Sequence, residues 1–170
     1  MDAFLAIASK REVRRYDDAP LPAEVIERIL QAGRVAGSAK NRQPWRFHVL
    51  TSPEARAEVA EAVYAPDNLR GAALAVAVTV AGKGPTAFDA GRAAQNMMLS
   101  AANDGVGSCP NGVADAGAMA RVLGLDEGET VATVLSFGYP ARPRHPEGRP
   151  SAEWIAAADR KALEEVVRRH

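Results

Sequence analysis

Two polar clusters near the N-terminus have the side chains and the spacing to bind an anionic ligand that carries a polar ring. The first places four cations within six residues, at Lys10, Arg11, Arg14 and Arg15. A guanidinium presents a planar pair of donors that matches phosphate oxygens, and a phosphate dianion needs more than one such partner. A basic run of this kind is also typical of a solvated surface. From these residues alone, a phosphate site and a solvated surface both stay open as interpretations.

The second cluster is a loop rich in amides and hydroxyls, which covers residues 37–47. Ser38, Asn41 and Gln43 supply hydrogen-bond donors and acceptors on short side chains, as the edge of a heteroaromatic ring requires. Pro44 favours an extended backbone at Gln43. A well-capped connection between a helix and a strand has a similar composition. With the basic run beside it, the loop favours a ligand with a phosphate at one end and a polar ring at the other, such as a mononucleotide.

The elements that must position these clusters are helices alternating with three strands, which indicates an α/β or α+β protein. Hydrophobic periodicity predicts helices over about 1–9, 21–33, 52–63, 86–104, 115–123 and 152–168, and strands over about 45–51, 74–80 and 131–139. The run 74–80 is nearly all apolar, as expected of a strand covered on both faces. Residues 105–112 are predicted as a loop. Thr86 and Asp89 have the spacing of a capping box.

Composition excludes several classes of function. Lys plus Arg and Asp plus Glu number 21 each, so the formal net charge of zero argues against a nucleic-acid or membrane-surface binder. Cys109 is the single cysteine and the three histidines are scattered, so no metal-ligand spacing occurs. Neither a signal peptide nor an apolar run long enough for a bilayer is visible. We therefore expect one cytoplasmic domain over residues 1–170, with Cys109 packed as a small core residue.

Three blocks resemble the nitroreductase family of FMN-dependent oxidoreductases, in the family's order. Residues 10–16, Lys-Arg-Glu-Val-Arg-Arg-Tyr, are similar to its opening R-R-S-x-R segment. Residues 36–47, Ala-Gly-Ser-Ala-Lys-Asn-Arg-Gln-Pro-Trp-Arg-Phe, resemble its A-P-S-x-x-N-x-Q-P-W-x-F segment. Residues 93–99 with 105–112 resemble its central helix and flavin-face loop. The resemblance implies an α+β, nitroreductase-like fold with a mixed central sheet flanked by helices, in a domain-swapped type of homodimer.

The resemblance also implies a cofactor, a set of site residues and a reaction. FMN would be bound by Lys10, Arg11, Glu12, Arg14, Ser38, Asn41, Gln43, Pro110, Asn111, Gly112 and Arg149. Backbone at Asn111 and Gly112 would lie near flavin N5, and Arg14 would lie at the N1/C2 edge. No catalytic side chain is implied, because the flavin carries the chemistry. We expect NAD(P)H to reduce FMN and to be replaced by an oxidised small-molecule acceptor, a nitroaromatic or a quinone, in a ping-pong cycle.

Two chains would build each site, and the many Gly, Ala and Ser residues of 86–104 suit packing either against a second subunit or within one chain. Several positions depart from the family pattern: Glu12 replaces a usual serine and Gly37 a usual proline. A substrate-covering insertion is absent between the first two strands, and Arg70 is only a weak equivalent of the family's lysine near the pyrimidine edge. Two alternatives stay open: another flavin-dependent redox role, such as a dehydrogenation or a specialised biosynthetic reduction, and a non-catalytic nucleotide-binding module.

Overall fold

A four-stranded sheet organises residues 11–143, the larger of two compact units in the computed structural model, which describes residues 2–170. Its strands are β1 (Trp45–Leu50), β2 (Leu74–Val80), β3 (Gly107–Asn111) and β4 (Thr130–Gly138), in the spatial order β1-β2-β4-β3. All three strand pairs are antiparallel. Within the described residues, parallel pairing occurs only at an isolated bridge between Glu12 and Ser108. A mixed sheet was expected from the sequence, and the parallel pairing that such a sheet requires is limited to this bridge in the described residues.

Strand β2 is buried along its whole length, and its bounds agree with the sequence prediction. Leu74, Val76 and Val78 face one apolar core, while Ala75 and Ala77 face a second core on the other side of the sheet. The absence of polar alternation in this segment follows from that double coverage.

The first core is closed by two helices, α2 (Ala23–Arg34) and α5 (Thr86–Asn103), which pack on each other and on the sheet. Their contact is tight at Gly33, where an added Cβ would lie 2.2 Å from Cε of Met97. The buried residues of α5 are largely alanine and methionine. Small residues on this face of α5 therefore serve packing within the chain, one of the two roles expected of them.

The second core lies under α3 (Pro53–Ala60) and α6 (Ala116–Leu123), and the short helix α4 (Asp67–Arg70) contributes Leu69 to it. Helix α4 lies outside the helices predicted from the sequence. None of the helices within residues 2–170 combines the length and the apolar character that crossing a membrane requires.

Strand β3 corrects the prediction of a loop over 105–112. Its sequence, Gly-Ser-Cys-Pro-Asn, is poor in the β-branched and aromatic residues that favour strands. The strand forms because it pairs with β4 from Gly107 opposite Gly138 to Asn111 opposite Val134. Its position at the sheet edge also tolerates Pro110, which lacks an amide donor.

The smaller unit comprises residues 2–10 and 144–170. Helix α1 (Ala3–Ser9) begins where the Asp2 carboxylate accepts from the amide of Leu5 at 2.9 Å, and α7 (Ser151–Ala156) packs against it. The single closing helix predicted over 152–168 is wrong. Two short helices occur instead, α7 and α8 (Leu163–Val166), and Asp159 between them has a left-handed backbone with φ of 49°.

Candidate functional site

The basic segment runs alongside β3 and is fixed to it. Glu12 forms the parallel bridge with Ser108, and the amide of Val13 donates to the Ser108 carbonyl at 3.0 Å. This approach requires glycine at position 107, because a Cβ there would lie 2.7 Å from the Val13 side chain. Arg14 is exposed and Arg11 is half-buried. The cations of this segment therefore lie beside the strand that leads into residues 110–112.

The end of β3 presents alternate residues to solvent. Pro110 and Gly112 are exposed, whereas Asn111 between them is buried. Tyr64, which is 76% exposed, lies against Gly112: its amide donates to the Gly112 carbonyl at 3.1 Å. An added Cβ at Gly112 would lie 3.2 Å from the Tyr64 ring. The surface at the end of β3 that a ligand could contact therefore consists of the Gly112 backbone and the exposed Tyr64 ring beside it.

A buried hydrogen-bond network lies under this backbone. The Asn111 side-chain NH2 donates to the carbonyls of Cys109 and Val134, both at 3.0 Å, and its oxygen accepts from the Asn68 amide at 2.8 Å. The Ser136 hydroxyl accepts from the Asn111 NH2 at 3.3 Å and lies 3.2 Å from the Cys109 carbonyl. Because the Asn111 side chain is engaged inside the fold, only its backbone can contribute to a site at the surface.

The network extends to the basic segment through Tyr16. Its hydroxyl donates to the Val13 carbonyl at 2.6 Å and lies 2.9 Å from the Ser136 hydroxyl. Burial raises the pKa of the Tyr16 phenol, so the phenol stays protonated and can donate at neutral pH. Sequence reasoning did not identify Tyr64, Asn68 or Ser136, because each meets the site only through pairing that is distant along the chain.

The amide-rich loop has an unusual backbone. Lys40, Asn41 and Gln43 have φ of 54°, 52° and 49°, in the left-handed region that non-glycine residues rarely adopt. The extended conformation expected at Gln43 is therefore wrong, although Pro44 follows it. The Ser38 hydroxyl accepts from the Gln43 amide at 2.9 Å and compensates for part of this strain. Strained segments of this kind cluster at ligand sites, so the loop stays a candidate.

Asp89 holds the start of this loop from helix α5. Its carboxylate, 3% exposed, accepts from the amide of Ala39 at 3.1 Å. The capping box predicted for Thr86 and Asp89 does not form: Pro85 is the residue before the helix, and Thr86 is the first helical residue. The Asp89 carboxylate therefore accepts a hydrogen bond from the neighbouring loop and not from the first turn of its own helix.

The side chain of Arg92 lies against Gly37. An added Cβ at Gly37 would lie 2.5 Å from Nη2 of Arg92, whose guanidinium also lies 5.9 Å from the centre of the Phe88 ring. The space that a larger residue would take at position 37 is therefore occupied by this guanidinium.

The structure brings only some of the predicted site residues together. Arg11, Glu12, Arg14, Pro110, Asn111 and Gly112 lie along β3. Ser38, Asn41 and Gln43 precede β1, at the opposite edge of the sheet, three strand spacings or about 14 Å away.

The remaining predicted cations have other partners. Lys10 and Arg149 belong to the smaller unit, where the Arg149 guanidinium lies 5.3 Å from the centre of the Trp154 ring. Arg70 forms ion pairs with Glu61 and with Asp67, the latter at 3.2 Å. Within the described chain, residues 2–170, no three His, Cys, Asp or Glu side chains are placed to hold a metal ion.

A charged cluster elsewhere on the sheet is centred on the buried carboxylate of Glu129. Arg46 contacts it at 2.9 Å and also contacts Asp126 at 2.6 Å. The Thr79 hydroxyl donates to Glu129, and this bond is the main reason that the pKa of the Glu129 carboxyl is lowered. The cluster ties strand β1 to the segment before β4 and holds no residue of the predicted site.

Comparison with known proteins identifies the family. The chain matches the profile of the nitroreductase family over residues 7–66 and 64–139. A protein of Archaeoglobus fulgidus, provisionally assigned as an NADH dehydrogenase/NAD(P)H nitroreductase, is 34% identical over 144 residues, 79% of this chain and 83% of that relative. The protein therefore belongs to the nitroreductase family.

Solved structures confirm the nitroreductase-like α+β fold. A provisionally assigned nitroreductase of Desulfovibrio desulfuricans, in complex with FMN, is 25% identical with a TM-score of 0.84 and covers 100% of this chain and 98% of its own. The NADPH:FMN oxidoreductase of Vibrio harveyi, complexed with NAD+, is 23% identical with a TM-score of 0.82, and the match covers 96% of this chain and 75% of that one.

Proposed function

We propose that the protein is an FMN-dependent NAD(P)H oxidoreductase that reduces an oxidised small-molecule acceptor, such as a nitroaromatic or a quinone, in a ping-pong cycle. The observation that carries the proposal is the position of the Arg11–Arg14 cations beside β3, whose end exposes Pro110 and the bare backbone of Gly112. Cations beside an accessible backbone amide form a donor set that suits a flavin mononucleotide. Membership of the nitroreductase family supports the same cofactor.

The roles proposed for individual residues are those that the family resemblance implies. Lys10, Arg11 and Arg149 would bind the phosphate, and Arg14 would lie at the N1/C2 edge of the flavin ring. The Gly112 amide, with the backbone of Asn111, would lie near N5, where hydride is exchanged. Ser38, Asn41 and Gln43 would contact the ribityl chain and ring. When bound, FMN supplies the hydride chemistry, so that the protein needs only to hold and orient it.

We further propose a homodimer in which each site takes residues from two chains. In one chain the loop that holds Ser38, Asn41 and Gln43 lies at the sheet edge opposite β3. A second copy supplies the missing loop if the two chains pack with these edges near each other. The exposed face of α5, with Phe88 68% exposed beside Gly91 and Arg92, offers an apolar surface for that contact.

FMN titration of the purified protein tests the cofactor assignment, with Arg14→Ala and Arg15→Ala as a matched pair. Both side chains are exposed and both variants lose one positive charge, but only Arg14 is proposed to lie at the flavin. Losing a charge-assisted contact predicts about a tenfold to hundredfold weaker FMN affinity for Arg14→Ala. Arg15→Ala should bind FMN as the wild type does. Equal affinities for both variants would contradict the placement of Arg14.

Steady-state kinetics tests the reaction. Varying NADH or NADPH at several fixed concentrations of a quinone should give parallel double-reciprocal plots, as a ping-pong cycle requires. Intersecting plots would reject that order of events. If neither nucleotide reduces the bound flavin without oxygen, the donor assignment is wrong.

A further inference from the structure

The segment Tyr64–Asn68 contacts the end of β3 at two points, one of them buried and one at the surface. At the surface, the Tyr64 amide donates to the Gly112 carbonyl at 3.1 Å. In the interior, the Asn68 side-chain amide donates to the Asn111 side-chain oxygen at 2.8 Å. The two contacts lie on consecutive residues of the backbone proposed to face the flavin.

The direction of the buried hydrogen bond is fixed by its surroundings. The Asn111 NH2 lies between two backbone carbonyls, those of Cys109 and Val134, which can only accept. The other end of the amide is therefore its oxygen, which needs a donor. Asn68, itself 7% exposed, supplies that donor. An aliphatic or acceptor-only side chain at position 68 would leave the Asn111 oxygen buried without a hydrogen bond.

The same network reaches the basic segment. The Ser136 hydroxyl connects the Asn111 amide, at 3.3 Å, to the Tyr16 hydroxyl, at 2.9 Å. Tyr16 in turn donates to the carbonyl of Val13, the residue before Arg14. One chain of hydrogen bonds, buried at Asn68 and Asn111 and part-buried at Tyr16, thus joins helix α4, the end of β3 and the backbone that carries Arg14.

We propose that Asn68 is a positioning residue of the flavin site: through Asn111, Ser136 and Tyr16 it sets the backbone of residues 110–112 relative to Arg14. This role rests on the proposed function. Asn68 is buried, and its side-chain amide contacts the Asn111 oxygen at 2.8 Å and the Cys109 sulfur at 3.9 Å, so it acts on the site through other residues. Its removal therefore disturbs the two proposed flavin contacts together, the Gly112 amide and the Arg14 guanidinium.

The test compares Asn68→Ala with Val59→Ala, using free FMN as the probe. Val59 is fully buried in the same core as Leu69 but holds no polar group of the network. Both variants should unfold at lower urea concentration than the wild type. Only Asn68→Ala should also bind FMN more weakly, by about tenfold, and change the visible circular dichroism of the bound flavin.

Tyr16→Phe provides a second variant at the other end of the network, and it conserves the ring and the fold. It should weaken FMN binding severalfold, since the Val13 carbonyl and Ser136 lose their partner. Unchanged FMN affinity and dichroism in both Asn68→Ala and Tyr16→Phe, with lower stability, would overturn the positioning role and leave the network structural. A wild-type protein that binds no FMN would instead overturn the proposed function, and with it this role.

Discussion

Replacing Asp89 tests whether a single buried carboxylate holds the strained loop of residues 38–43. Asp89→Ala removes a charge-assisted hydrogen bond to the Ala39 amide, worth about 1.5–3 kcal/mol. It also removes a negative charge from the first turn of α5, worth about 0.3–1 kcal/mol. We therefore expect the free energy of unfolding to fall by about 2–4 kcal/mol. For a chain of this size the melting temperature falls by roughly 5–15 °C.

Asp89→Asn keeps an acceptor in a side chain of the same shape, so about half of that loss is expected. Asp104→Ala is the matched control, because this carboxylate lies at the other end of α5 in a partly exposed pair with Arg28. Its cost should stay below about 1 kcal/mol.

Urea unfolding followed by circular dichroism measures the stability of each variant. Limited trypsin digestion reports on the loop itself, since Lys40 and Arg42 are exposed cleavage sites within it. Asp89→Ala should be cut there much faster than the wild type or Asp104→Ala. Equal cleavage rates in Asp89→Ala and Asp104→Ala would refute the claim that Asp89 holds the loop.

Two further predictions concern the core and the charged cluster. Gly33→Ala should lower the free energy of unfolding by about 1–3 kcal/mol, because its Cβ would overlap Met97. The control Gly117→Ala, at an exposed position in α6, should raise it by up to about 1 kcal/mol. Urea unfolding measures both variants, and a stabilised Gly33→Ala would contradict the packing. Glu129 has a lowered pKa, so its contribution is present above about pH 4.5 and is lost as the pH falls through the folded-state value. The stability difference between wild type and Glu129→Gln should therefore shrink between pH 7 and pH 3, and a constant difference would refute the role of the charge.

The local hydrophobic pattern was sufficient to predict β2, α2 and α5, since each has a buried face that continues along the whole element. β2 is apolar throughout because both of its faces are covered, and the predicted bounds agree with the structure. The helices α2 and α5 likewise carry a continuous buried face. In each case the sequence signal comes from the residues of the element itself.

The elements that were missed depend on partners distant in the sequence. β3 is a strand because β4 pairs with it, although its own residues favour a turn. Gln43 is left-handed because Ser38 and the Asp89 contact set the loop, which outweighs the local preference set by Pro44.

The residues of the candidate site fall into the same two groups, those with a signal in the local sequence and those recognised only through contacts distant along the chain. The cations of residues 10–15 and the loop at 38–43 are visible in the sequence because their residue types are unusual at that spacing. The supporting residues Tyr64, Asn68 and Ser136 give no such signal, since a lone tyrosine, asparagine or serine is common anywhere. Their significance comes from the Gly112 carbonyl and the Asn111 side chain that they bind.

Native mass spectrometry of the protein purified with excess FMN tests the central claim most directly, because it counts chains and cofactors in one species. A site assembled from the β3 edge of one chain and the 38–43 loop of another predicts a complex of two chains and two FMN molecules, with FMN lost when the dimer dissociates. A monomer that retains one FMN, or a dimer that binds none, would contradict the account.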